Sequence, residues 1–412
     1  MVGAVCITNF TAVVFFNPIL GVFAPELEAE FGWSRASIAA AIAFGSLAAA
    51  VASPIAGWVV DRWGSRWLIS GSGLAIVVLL GALSGLHALW QLYIFYAIGR
   101  GLAVTTVSNV GFVVVSNWFI RRRAMVVGTV AVAQRAGMAL LPVYAALVIS
   151  ITGDWRNGWL ALGLIALLFG VVPPALFLRR RPEDLGLLPD GDPLPASPQQ
   201  RPLDVSQDDF TLREAVRTRS YWLVGIAIAL LMFTSGSINF HQIPYLVDQQ
   251  LGRTPAALVV AVFSGAGALG GLLGAYLAAQ VTTRRTMTLS LMVMSIGPLL
   301  LWQTDTFAMA MVYAVSYGLF FGATAAMYQA IYADYFGRMS LGVIRGSFQP
   351  VVMVLNAAGP FLTGLWVDRS GSYTAPFFLF SGCLLLAAVA LLFAPYPTKP
   401  RPIEARPTGS ED

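Results

Sequence analysis

The sequence predicts an all-α membrane protein whose twelve transmembrane helices form two six-helix bundles, and three observations carry that prediction. Hydrophobic residues make up 57% of the 412 residues and charged ones 11%, with a mean hydropathy of +0.73, whereas a soluble chain carries roughly a quarter charged residues. The apolar residues fall in runs long enough to cross a bilayer core, which needs about 20 residues of helix. A single long polar stretch divides these runs into two sets of six. Helix is the expected spanning element because lipid offers no partner for unpaired backbone groups. The ~10-residue alternating segments of a transmembrane barrel are not visible.

Charge and turn signals place the first six spans near 2–24, 37–60, 68–86, 90–116, 124–150 and 158–178. The second six fall near 220–247, 254–280, 287–303, 307–333, 343–367 and 375–395. The first run has no Lys or Arg before it and contains Asn9, Asn17 and Pro18, which argues for a retained span over a cleaved signal peptide. The polar stretch RRRPEDLGLLPDGDPLPASPQQRPLDVSQDD, starting at Arg179, reads as a linker. The expected organisation is therefore a bundle over 1–178, a linker over 179–219, a second bundle over 220–396 and a tail over 397–412. Cys6 and Cys383 lie in apolar runs at opposite ends of the chain, which suggests helix packing and neither a disulfide framework nor a metal cluster.

Orientation follows from the basic residues, because cytoplasmic loops accumulate Lys and Arg. Of 25 such residues, 19 lie in alternate loops or the tail, and the opposite loops hold only Arg35, Arg156, Arg253 and Arg369. Both termini and the linker are thus expected in the cytoplasm, with the chain in the inner (plasma) membrane. The pI near 9.4 reflects this topological bias, and no nucleic-acid partner is expected.

The loop after the second span reads GWVVDRWGSR, with Gly57, Asp61, Arg62, Gly64 and Arg66 spaced so that an acid, a tight Gly turn and basic side chains can latch onto a neighbouring helix end. This pattern resembles the Gly-x-x-x-Asp-Arg-x-Gly-x-Arg signature of the major facilitator superfamily. The equivalent place in the second half, GAYLAAQVTTRR from Gly274, keeps Arg284 and Arg285 but lacks the acid. FGWSRASIAAA from Phe31, WFIRRRAMVVG from Trp118 and RRRPEDLGLLPDG from Arg179 extend the likeness to the monocarboxylate-transporter-like branch of that superfamily. FHQIPYLVDQQLG from Phe240, ADYFGRMSLGVIRG from Ala333 and GPFLTGLWVDRSGSY from Gly359 continue it through the second half.

The resemblance implies a secondary transporter that works by alternating access, with no cofactor, a small-molecule substrate, the bilayer as surroundings and a monomeric state. Asp61, Arg62, Gly64 and Arg66 are its expected gating residues. Protons are the common coupling ion of the family, so symport is the expected mode. His241 is the buried group available for proton or substrate work, with helix packing as its alternative role.

All 20 acidic residues fall in loops, the tail or the extreme ends of spans, while Arg100 and Arg135 lie well within spans four and five. Cation pumping normally needs a buried carboxylate, whereas two mid-span arginines suit an anion. Arg100 and Arg135 are therefore the candidate substrate-binding pair, with Gln134, Ser108 and Asn109 as neutral helpers. The alternative is that either Arg bonds to helix-end carbonyls and holds spans together. Carriers of the resembled branch typically place an Arg in span eight, and oxalate exchangers add a Lys in span eleven. Neither residue is present. A small organic anion, with carboxylates preferred, is the expected cargo. An exporter of amphipathic compounds is the rival, and a transporter-like receptor is the alternative of another class.

No enzyme is expected, because no zinc signature, nucleophile elbow or phosphate loop is present. GAGALG, from Gly265 to Gly270, fits a dinucleotide pattern but lies inside an apolar span, where its glycines suit close helix approach.

Overall fold

The computed structural model describes residues 1–63, 65–119, 123–178, 210–337 and 341–397. Among them the chain crosses the bilayer twelve times. The first six crossings are α1 (Val2–Phe31), α2 (Arg35–Trp63), α3 (Ser65–Ser84), α4 (Leu89–Leu102, Ala103–Asn109 and Val110–Trp118), α5 (Arg123–Thr152) and α6 (Trp155–Phe177). The second six are α7 (Arg219–Asp248), α8 (Arg253–Gln280), α9 (Thr283–Met294 and Gly297–Trp302), α10 (Phe307–Phe336), α11 (Leu341–Ser370) and α12 (Thr374–Leu392). Eleven are long and apolar enough to span by composition alone. The other is α4, which carries Arg100.

Side chains on the outer faces are apolar, as at Leu47, Val78, Ile151, Leu272 and Val354, whereas Thr8, Asn9, Asn17, Ser235 and Gln242 are buried. Polar groups inside and hydrocarbon outside is the arrangement that lipid solvation requires. α1 runs past the expected residue 24, through Pro25, and stops where Gly32 takes the left-handed conformation at φ 66°. The run of Glu26, Glu28 and Glu30 ends the apolar signal but leaves the backbone ladder intact, so the helix continues beyond the hydrocarbon. Of the expected linker, residues 179–209 lie outside the described residues. Thr211 caps a short helix, Leu212–Val216, by accepting from the Glu214 amide, and α7 follows at Arg219.

The two sets of six pack through equivalent helices. α1 meets α7, while α2 meets α11 and α5 meets α8, the pairing that two similar halves produce about a pseudo-two-fold axis. α8 and α10 pack backbone to backbone. A Cβ on Gly318 would collide with the Phe263 carbonyl, and one on Gly322 with that of Gly267, so absent side chains let these backbones touch.

We call the end of the molecule that holds Met1 proximal and the opposite end distal. The hydrogen bonds and ion pairs joining the halves among the described residues run from mid-bundle, where Asn17 Nδ2 donates to the Gly236 carbonyl at 3.1 Å, to the distal end. There Arg35 meets Asp248, Asp368 accepts from the first amides of α2, and Arg253 pairs with Glu26.

Candidate functional site

The site starts from a break in α1. Residues Ala12–Phe15 tighten into a 3-10 turn, Phe16 is extended (φ −90°, ψ 160°), and Pro18 lies at the start of the next segment. The proline ring cannot continue the preceding ladder. The Phe15 carbonyl thus faces sideways and accepts from Tyr96 Oη and Arg100 Nη1, each at 2.9 Å. Tyr96 and Arg100 are one turn apart on α4, which puts both donors on one face. Gly45 of α2 makes room for Arg100, since a Cβ there would sit 2.5 Å from Arg100 Cδ. Arg100 Nε is buried without a hydrogen-bond partner, and the guanidinium carbon lies 6.0 Å from the Phe16 ring centre.

Arg135 is arranged differently. From α5 it reaches into the second half, its guanidinium carbon 5.1 Å from the centre of the Phe321 ring on α10. Gly267 on α8 lies beside it, and a Cβ there would sit in ordinary contact, 3.8 Å from Arg135 Nη1. The side chain is half-buried and, among the described residues, donates no hydrogen bond and meets no acid. Next to it in sequence, Gln134 Nε2 donates to Ser108 Oγ at 2.8 Å. Ser108 sits in the π-turn Ala103–Asn109, a widened stretch of α4 of the kind that often marks functional sites. The Asn109 backbone belongs to that turn, and its side chain lies outside the described residues. Arg100 and Arg135 share no partner among the described residues.

His241 is fully buried near the distal end. Its Nε2 faces the Pro360 carbonyl at 2.8 Å and its Nδ1 faces Tyr373 Oη at 3.0 Å. A carbonyl only accepts, so Nε2 carries the proton and Nδ1 accepts from the phenol. Burial keeps the Tyr373 phenol protonated, its pKa raised above the usual range.

Of the gating candidates, Arg66 Nε donates to the Ala175 carbonyl at 2.7 Å, tying the start of α3 to the last turn of α6. Its guanidinium also lies 5.1 Å from the Trp67 ring centre. Asp61 and Arg62 are in the last turn of α2, with side chains outside the described residues, and Gly64 is outside them altogether.

The distal cluster built on Arg35 has no signature of its own in the sequence. The motif FGWSR carries only a family likeness. Its partners Glu28, Asp248, Asp368 and Tyr373 come from four other helix ends, so no local pattern announces them. The break in α1 had a signal, the Asn17-Pro18 pair inside an apolar run. A large apolar groove of about 660 Å³ lies between α11 and α12, lined by residues such as Phe233, Leu362, Trp366 and Phe380. It shares no residue with the surroundings of Arg100 and Arg135. Among the described residues no group of three His, Cys, Asp or Glu side chains is placed to hold a metal ion.

Known proteins agree with this architecture. The Major Facilitator Superfamily model matches residues 5–252 and 226–411. Human "Monocarboxylate transporter 11" is 28% identical over 382 residues, covering 89% of this chain and 76% of that protein. The Escherichia coli "Probable L-galactonate transporter" is 24% identical over 411 residues, covering 95% and 88% respectively. The Bacillus subtilis "Hexuronate transporter" is 22% identical over 414 residues, covering 95% and 92%. Among solved structures, the nucleoside transporter NupG superposes with a TM-score of 0.72 at 12% identity, over 94% of this chain and 98% of that one. A bacterial homolog of the human lysosomal transporter Spinster, in an inward-facing and occupied conformation, gives 0.68 at 14% identity, over 95% and 94%. Such low identities speak to the fold alone. The chain is a multi-pass membrane transporter that belongs to the Major Facilitator Superfamily, within its monocarboxylate-transporter-like branch.

Proposed function

We propose that the protein is a secondary transporter that moves a small organic anion, a carboxylate, by alternating access, with Arg135 as its principal anion-attracting group. The observation that carries this reading is the state of Arg135 itself. A guanidinium near the bilayer centre costs roughly 2.5–3.5 kcal/mol on insertion scales and is rarely left without a partner. At 1.5 Å per residue it lies about 18 Å from the start of α5, close to the middle of a ~30 Å core. It stands between the halves, beside Phe321 and Gly267, with no hydrogen bond among the described residues. An incoming carboxylate supplies the missing acceptor in a bidentate geometry that Lys cannot reproduce.

Arg100 plays the supporting part. One of its nitrogens is taken by the Phe15 carbonyl, so it contributes charge and holds the α1 break in shape. Gln134, next to Arg135 in sequence and bonded to Ser108, is its neutral helper in this reading, with Ser108 and Asn109 proposed for the same role. The carboxylate assignment is supported by the monocarboxylate, galactonate and hexuronate cargo named for relatives. Proton symport fits the reading, because a co-transported proton offsets the anion's charge. The test is thermal stability of the purified protein across a panel of lactate, pyruvate, galactonate, a hexuronate and their amides. Binding to the native state raises apparent stability by mass action. Stabilisation by at least one carboxylate and by none of the amides is expected, and stabilisation by amphipathic cations instead would overturn the assignment.

In the same reading the proximal end, with both termini and the linker, faces the cytoplasm, and the bundles extend over 1–178 and 220–396. Asp61, Arg62, Gly64 and Arg66 guard that side, Arg66 by its bond to α6. A reporter fused after Arg181 is expected to read cytoplasm and one inserted near Thr152 the outside, as the basic-residue asymmetry requires. The reverse pattern would contradict the orientation.

A further inference from the structure

We propose that Arg35 is the clamp of the distal mouth, a positioning residue that holds the two halves closed at that end and must let go for the transporter to open there. The proposal rests on the alternating-access reading and adds to it the residue that sets its distal equilibrium.

Arg35 opens α2 and uses all five of its guanidinium N–H groups. Nε and Nη2 donate to the two oxygens of Glu28 at 2.8 and 3.2 Å, which anchors the side chain within its own half. Nη1 and Nη2 reach across to the two oxygens of Asp248, at the end of α7, at 2.5 and 2.8 Å. The remaining Nη1 hydrogen meets Tyr373 Oη, just before α12, at 2.9 Å. The backbone joins in, since the amides of Arg35 and Ala36 donate to the Asp368 carboxylate of α11 at 3.0 and 2.9 Å. An acid from the second half thus caps a helix of the first, where the helix dipole favours negative charge.

These bonds are directed. Tyr373 donates its own hydrogen to His241 Nδ1 and is left with lone pairs facing Arg35. The buried imidazole, locked by the Pro360 carbonyl, therefore sets the phenol as an acceptor. A second ion pair, Arg253 with Glu26, joins α8 to α1 nearby. Three carboxylates around one guanidinium give two negative charges in excess, which a dry interior would not tolerate. The cluster instead borders a polar depression of about 360 Å³ lined by Glu28, Arg35, Asp248 and Asp368. Water can take over these groups when the halves part. Charge-assisted bonds that water can replace are strong enough to bias two conformations and weak enough to break in each cycle. A bond within one bundle would serve stability, whereas these cross between bundles and act on their relative position.

The test uses purified full-length protein in detergent, with Cys6→Ala and Cys383→Ala as background. One reporter, Ala36→Cys, is placed at a buried position packed against Gly364 of α11. Its reaction with a bulky maleimide reads opening of the distal interface without reference to any substrate. Arg35→Gln is expected to raise the labelling rate by about tenfold, a typical size for a two-state coupling, with any fall in melting temperature limited to the loss of its bonds to Glu28. Asp248→Asn should give a smaller rise, because Glu28 and Tyr373 still hold the guanidinium. Arg35→Lys should fall between Gln and wild type. Labelling at the wild-type rate in both Arg35→Gln and Asp248→Asn overturns the clamp, as does a rise accompanied by a fallen melting temperature in both. If labelling rises but no carboxylate is carried, the clamp stands and the substrate reading fails. The reverse result leaves the substrate reading and removes the clamp.

Discussion

Arg135→Gln is expected to reduce carboxylate uptake by about a hundredfold while leaving the melting temperature within about 2 °C of the wild type. Losing two charge-assisted bonds to an anion corresponds to roughly 1.5–3 kcal/mol for each, which is enough for a hundredfold loss. The stability half follows from the same geometry. Arg135 donates no hydrogen bond among the described residues, and its guanidinium packs against the Phe321 ring. Exchanging it for a neutral side chain removes an insertion cost and breaks little. Arg135→Lys keeps the charge but loses the planar fork, so intermediate uptake with weakened affinity is expected. A Gln variant that carries its substrate at wild-type affinity would remove Arg135 from the site.

Arg100→Gln should show the opposite balance, a melting temperature lower by about 3–8 °C together with slowed uptake. Arg100 gives the Phe15 carbonyl at the break in α1 a hydrogen bond from a charged donor, and losing such a bond costs about 1.5–3 kcal/mol. A destabilisation of that size moves Tm by a few degrees. Tyr96 still donates to the same carbonyl, which keeps Arg100→Gln folded. Removing both donors with Tyr96→Phe and Arg100→Gln is expected to lower Tm by more than the two single losses together, because partners of one acceptor are coupled. Simple additivity in thermal denaturation would show that the carbonyl is not the shared element. Running the Arg100 and Arg135 variants side by side separates a residue that shapes the scaffold from one that meets the cargo.

The contrast between these two arginines shows what can be read from a chain alone. Hydropathy and the basic-residue pattern give the twelve crossings and the halves, because bilayer thickness and backbone satisfaction leave few alternatives. Mid-span Arg100 and Arg135 stand out for the same reason, as charges that lipid penalises. Which way each side chain turns is a tertiary matter. Gly45 admits Arg100 to the α1 break, and Arg135 reaches Phe321 of the second half, and neither pairing has a sequence period. His241 was legible as buried but not as the partner of Tyr373, 132 positions away. The Arg35 cluster was hidden by its composition. Its members come from five helix ends, each of which looks in isolation like an ordinary solvated turn.

Whether Arg135 meets the charge of the cargo is tested by uptake into proteoliposomes of a radiolabelled carboxylate and of its amide, measured on the same wild-type preparation and against Arg135→Gln. The two cargoes share size and shape and differ in the charge that Arg135 is proposed to meet. Time-dependent accumulation of the carboxylate, none of the amide, and loss of the carboxylate signal in Arg135→Gln is the predicted result. Equal uptake of acid and amide, or carboxylate uptake that survives in Arg135→Gln, would contradict it.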